Sequence, residues 1–117
     1  MVTYALPYFM VEVREYVDAK GRSLYRDWLV KLDAATIARI ITAVLRMEDG
    51  NFSTAKAVGA GVSELRLDFG PGYRVYFGKD GERLVILLAG GSKKRQQADI
   101  EAAHMLWDEY KRRKWEK

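Results

Sequence analysis

The chain has 117 residues, 49% of them hydrophobic and 31% charged, the length and balance of one globular domain rather than a disordered tract. The absence of cysteine and the single histidine exclude disulfides, thiolate metal sites and histidine-rich metal centres. A net charge of +4 favours polyanionic partners, either nucleic acid or an acidic protein segment, without choosing between them.

Met1 to Met10 is apolar, but it carries no basic leader, includes Pro7 and runs into Glu12, Arg14 and Glu15. It does not read as a signal peptide. The longest apolar run elsewhere is far short of a membrane span, so the expectation is a cytoplasmic protein with no membrane partner. Phe9 to Tyr16 alternates apolar and charged residues, the period of a half-buried strand. Asp18, Lys20 and Gly21 supply a turn, and Ser23 is placed to cap a helix in which Leu24, Trp28 and Leu32 form a stripe beside Tyr25 and Leu29. Asp33 caps a second helix from Ala34, with Ile37, Ile40, Ile41, Val44, Leu45 and Met47 on one face; Asp49-Gly50-Asn51 ends it.

A polar connection from Asn51 to Gly61 carries Lys56. Ser63 to Asp68 then alternates strictly, a turn at Phe69-Gly70-Pro71-Gly72 follows, and Tyr73 to Phe77 alternates again. Gly78 to Gly81 makes a second turn, and Leu84 to Ala89, apolar on both faces, reads as the central strand. Gly90-Gly91-Ser92 is expected to break that strand. Lys93-Lys94-Arg95 opens a final helix from Gln96 to Lys114, where Ile100, Ala103, Trp107 and Tyr110 share a face and cations fill the last turn. The expected order is β-α-α-β-β-β-α: one α+β domain over residues 1–117, a twisted antiparallel sheet on a helical hairpin with a C-terminal helix.

Alternation also distributes the charges. With Leu65 and Leu67 facing the helices, Arg66 points to the other face, and the same parity sends Arg74 and Tyr76 there from the next strand. Lys93, Lys94 and Arg95 arrive where the central strand ends. The expectation is an open, basic sheet face suited to a phosphate backbone, with Tyr76 free to stack on a base. The same arginines can equally be solvated cross-strand partners of Glu64 and Asp68, and the terminal Lys111, Arg112 and Arg113 can be a solvated helix end. Gly70-Pro71-Gly72 is too short for a nucleotide cradle, and Ser92 has no histidine nearby in sequence to act as its base. His104 reads as a packing residue at the edge of an apolar face.

The runs Gly61-Val62-Ser63-Glu64-Leu65-Arg66-Leu67, Gly70-Pro71-Gly72-Tyr73-Arg74-Val75-Tyr76-Phe77 and Leu87-Leu88-Ala89-Gly90-Gly91-Ser92-Lys93 resemble the RelE/ParE superfamily. The nearer resemblance is to HigB-type addiction-module killer toxins, which are related to small phage-derived proteins. Trp28-Leu29, Asp49-Gly50-Asn51, Lys56, Val58, Gly59 and Asp99-Ile100 extend it over nearly the whole chain. The resemblance implies the RelE-like fold and the toxin of a type II toxin–antitoxin module, a metal- and cofactor-independent endoribonuclease that cuts mRNA on the ribosome. It implies a helix-turn-helix antitoxin as partner, in a hetero-oligomeric complex.

Carried over, Arg74 matches the sheet arginine that contacts the scissile phosphate. Arg66 matches, across a one-residue gap, a strand lysine with an acid/base role, and Lys93 or Lys94 matches an arginine after the central strand. Lys56, Arg95, Lys111, Arg112 and Arg113 are the further cations expected to meet RNA. The chain departs from the pattern at Glu64, where some relatives carry a second lysine, and at Gln96, Gln97 and Ile100, where some carry a tyrosine. Other HigB-like toxins use histidines, and here only His104 exists. Tyr76 is taken as the substitute base. Two other roles fit the same resemblance: a ParE-like poison of DNA gyrase, and an inactive member that only binds its antitoxin.

Overall fold

The computed structural model describes residues 10–116. Strand β1 (Glu12–Glu15) leads into helix α1 (Leu24–Leu29) and helix α2 (Ala34–Leu45), which ends in a 3₁₀ turn at Arg46–Asp49. Four strands follow, β2 (Ala55–Ala57), β3 (Val62–Leu67), β4 (Tyr73–Lys79) and β5 (Leu84–Ser92). A 3₁₀ turn at Lys93–Arg95 then opens helix α3 (Gln96–Trp115). Both caps read from sequence are formed: Ser23 accepts from the Arg26 amide and Asp33 from the Thr36 amide. The start of the first expected strand, at Phe9, lies outside the described residues.

The class is α+β with one five-stranded sheet, in the order β1-β5-β4-β3-β2. Two features differ from expectation. A short extra strand, β2, forms in the polar connection and pairs antiparallel with β3, and β1 lies parallel to β5, making the sheet mixed. A parallel pair needs a long crossover, which the helical hairpin and the three intervening strands supply. The glycine pair does not break β5, which runs through to Ser92. Gly90 and Gly91 are instead close-approach positions, since a Cβ on Gly90 would overlap the Trp28 ring and one on Gly91 the Asp99 carboxylate.

The sheet is covered on both sides. Leu65, Leu67, Val75, Phe77, Val85 and Leu87 pack on Tyr25 and Leu29 of α1 and on Ile40, Val44 and Met47 behind them. Val62, Tyr76, Ile86 and Leu88 pack on Ala103 and Trp107 of α3. Each large apolar side chain fully buried in these layers contributes about 1.5–3 kcal/mol. The α2 stripe is narrower than its sequence suggests: Ile41 and Leu45 stay exposed because the helix meets the sheet along one side only. Likewise Leu24 is exposed, and α1 turns Tyr25 and Leu29 inward.

Between β4 and β5 the register skips Leu88, with Phe77 opposite Leu87 and Tyr76 opposite Ala89. This bulge shifts the parity of the end of β5, so that Gly91 faces α3 while Gly90 faces α1.

Candidate nucleic-acid interface

The parity argument holds, and the open face does not. Arg66 and Arg74 are direct cross-strand partners, and Glu64 is opposite Tyr76, so all four share one sheet face. The first turns of α3 lie over that face. Arg74 is 5% exposed, Glu64 2% and Tyr76 0%, while Arg66, nearer the sheet edge, stays in solvent. Tyr76 is therefore not available to stack on a base. Its phenol is pushed further above the ordinary tyrosine value, first by burial and then by the nearby Glu64 and Asp99 carboxylates, the wrong direction for a base.

The buried groups form a polar seam. Glu64 Oε2 accepts from Gln96 Nε2 at 3.0 Å and lies 3.6 Å from Arg74 Nε. Arg74 Nη1 donates to the Gly72 carbonyl at 2.8 Å. Among the described residues, the buried side-chain atoms without a hydrogen-bond partner are Arg74 Nε, Tyr76 OH and Asp99 Oδ2. All belong to this seam, where orphaned polar atoms are costly and call for an explanation. Burial raises the Asp99 carboxyl above its ordinary value, partly opposed by Arg95.

At its outer end the seam meets a cleft of about 490 Å³ lined by Arg66, Arg74, Lys93, one carboxylate, Asp68, and the Phe69–Tyr73 turn. Gly72 supplies the φ of +76 that this turn requires, and it lies beside both Arg74 and Lys93. Two exposed cations and one buried, oriented guanidinium thus converge on one concavity, an arrangement that can bind a phosphodiester and neutralise charge developing on it. Among the described residues no cluster of His, Cys, Asp and Glu could hold a metal ion.

Residues 27–108 match the family described as Phage derived protein Gp49-like (DUF891). The chain belongs to that family. It is 40% identical over 94 residues to a protein of Haemophilus influenzae described as uncharacterized, a match covering 80% of this chain and 95% of that one. Among solved structures it is similar to a chain of the toxin–antitoxin complex RelBE2 of Mycobacterium tuberculosis. There the TM-score is 0.56 and the identity 19%, with 72% of this chain and 99% of that one covered. The fold is RelE-like.

In this Gp49-like chain the other expected cations divide. Lys94 and Arg95 are exposed on the 3₁₀ turn beside Lys93, and Lys56 is exposed on β2. Lys111, Arg112 and Arg113 lie about 24 Å further along α3 from Gln96 and do not join the cleft. Arg112 pairs with Asp108 at 3.2 Å, while Arg113 donates to Tyr16 OH and to the Val17 carbonyl at 3.0 and 2.8 Å. They serve the far end of the helix. His104 Nε2 lies 3.0 Å from the Val58 carbonyl, a packing role. Sequence reasoning placed Gln96 where some relatives carry a tyrosine and Asp99 at a family-like helix start, but assigned neither a contact. It took the partnership of the arginines with Glu64 as a solvated alternative, where the structure buries the pair of Glu64 and Arg74. The signal was present: a strand apolar on both faces needs two cover layers, and the Ile100–Ala103–Trp107 stripe is the second.

No helix among the described residues is long and apolar enough to cross a membrane.

Proposed function

We propose that this protein is the toxin of a type II toxin–antitoxin module, an endoribonuclease that cuts mRNA on the ribosome. The observation that carries this reading is the convergence of Arg66, Arg74 and Lys93 on one cleft of a RelE-like fold. In the reaction, the 2′-hydroxyl gives up its proton to solvent as its oxygen bonds to the adjacent phosphorus. The bond from phosphorus to the 5′-oxygen breaks, and that oxygen takes a proton from solvent, leaving a 2′,3′-cyclic phosphate and a 5′-hydroxyl. Arg74, fixed between Gly72 and Glu64, holds the phosphate in line, while Arg66 and Lys93 offset the charge gained by its oxygens. Lys94, Arg95 and Lys56 extend the cationic rim toward the rest of the message. A helix-turn-helix antitoxin is the cognate partner, and the toxin acts in the cytoplasm.

Arg66 is the residue to test first, because it is exposed and its loss leaves the core intact. Primer extension on a reporter message in a purified translation system should show cuts that require ribosomes. Arg66→Ala should lower cutting about 100-fold, the scale for losing one donor to a developing oxyanion, with stability changed by less than about 0.5 kcal/mol. An intact message at toxic protein levels would remove the ribonuclease reading. Trapped gyrase–DNA complexes in its place would install the gyrase poison.

A further inference from the structure

On the other side of the Arg66–Phe69 segment lies a second groove, of about 480 Å³, between α2 and the outer part of β3. Its lining includes Arg39, Arg46, Arg66, Asn51, Ser53 and Thr54. Arg39 on α2 and Arg46 at its C-terminal cap are seven residues apart, two turns along one face and about 10 Å along the axis. α2 itself contains no acidic residue, and the groove has one carboxylate, Asp68.

The ion pairs of the molecule separate its arginines. Arg14, Arg22, Arg26, Arg74, Arg112 and Arg113 each pair with a carboxylate. Arg39, Arg46, Arg66 and Arg95 form no such ion pair among the described residues, and the first three line this groove, while Arg95 lies on the 3₁₀ turn before α3. Arg39 is instead held by the Phe69 ring, its guanidinium carbon 3.7 Å from the centroid, which leaves its N–H groups uncommitted to any anion.

We infer that this groove is a second nucleic-acid site, a track for the phosphate backbone of RNA continuous with the cleft through Arg66 and Phe69. Arginine, asparagine, serine and threonine are the side chains that position phosphates, and here they line one trough. An acidic peptide would satisfy the same arginines, but the trough shares a wall with the cationic cleft, and one polyanionic strand can occupy both. The inference rests on the reading that the neighbouring cleft takes RNA, and it goes beyond the proposed cleavage in assigning a second binding surface.

The test is fluorescence anisotropy with a labelled 2′-O-methyl RNA dodecamer, which has no free 2′-hydroxyl and cannot be cut, titrated with the full chain between about 50 and 200 mM salt. Each phosphate contact to a single strand contributes about 0.7 to the slope of log K against log salt, so Arg39→Gln/Arg46→Gln should lower that slope by about 1.4 and weaken binding severalfold. Lys111→Gln/Arg112→Gln removes the same two charges at the far end of α3 and should leave affinity within about twofold of the wild type. Equal losses in the two double variants would reduce the effect to net charge and overturn the track, as would an unchanged slope in the first or no binding by the wild type. A glutamate-rich peptide that competes with the dodecamer and binds more tightly would overturn it in favour of a protein partner. Because the probe cannot be cleaved, a failed cleavage assay leaves this result standing, and the reverse holds too.

Discussion

The two ends of α3 are built on opposite plans. At the C-terminal end the phenols and the cations around them are bonded: Tyr16 donates to Glu109 at 2.6 Å and accepts from Arg113, Tyr110 donates to Asp80, and Lys114 reaches the same carboxylate at 2.7 Å. At the N-terminal end Arg74 Nε, Tyr76 OH and Asp99 Oδ2 are buried without a hydrogen bond. Arg112, Arg113 and Lys114 at the first end pair with the protein's own carboxylates, and Arg113 and Lys114 clip the helix onto the end of β1 and the β4–β5 turn. At the second end Arg74 pairs with Glu64, while Lys93, Lys94 and Arg95 form no ion pair among the described residues and remain open to an external anion. A cluster of cations in a sequence is therefore informative only once its internal carboxylates have been subtracted.

The sharpest way to break this comparison is Arg74→Ala. It leaves Glu64, 2% exposed, without its counter-charge, and should cost about 3–5 kcal/mol in chemical denaturation, the scale for stripping one partner from a buried ion pair. A loss under about 1 kcal/mol would mean that water reaches Glu64 and the seam is not dry.

Asp99→Asn probes the orphaned carboxyl by pH. Burial raises its pKa in the folded state, so the folded protein holds that proton more tightly than the unfolded chain, whose value is about 3.9. The ionised form is thus a penalty, fully present above the folded value and absent below the unfolded one. The variant should melt higher than the wild type at pH 7, and the gain should disappear as pH falls through the carboxylate range. A variant that melts lower at pH 7 would show that the carboxylate is satisfied in solution.

The smallest effect belongs to the other end, where the sign reverses. Lys114 and the Tyr110 hydroxyl lower the Asp80 carboxyl, so its stabilisation is present above the unfolded value and lost as pH falls through the folded one. Lys114 stands half in solvent, and Lys114→Ala should cost less than about 1 kcal/mol at pH 7 and still less at high salt. A larger cost that ignores salt would place this network among the molecule's buried contacts.

Much of the fold was legible because local rules act at short range. Ser23 and Asp33 announced two helix starts, and the alternation of Ser63 to Asp68 and Tyr73 to Phe77 set which side chains share a face, Arg66 and Arg74 among them. What local rules could not supply was where α3 comes to rest. Its apolar stripe requires a surface, but Arg74 and Tyr76 read as polar positions, so the face they share looked free.

By itself the sequence determined element types, strand parity and the identity of the cations, because these depend on residues two to four positions apart. Tertiary structure decided exposure and partnership. It turned Tyr76 from a surface phenol into a buried one, tied Glu64 both to Arg74 on the next strand and to Gln96 of α3, and drew Arg113 away to Tyr16. The physical reason is that burial and ion pairing depend on which surfaces meet, and α3 meets the sheet only after every strand beneath it has paired.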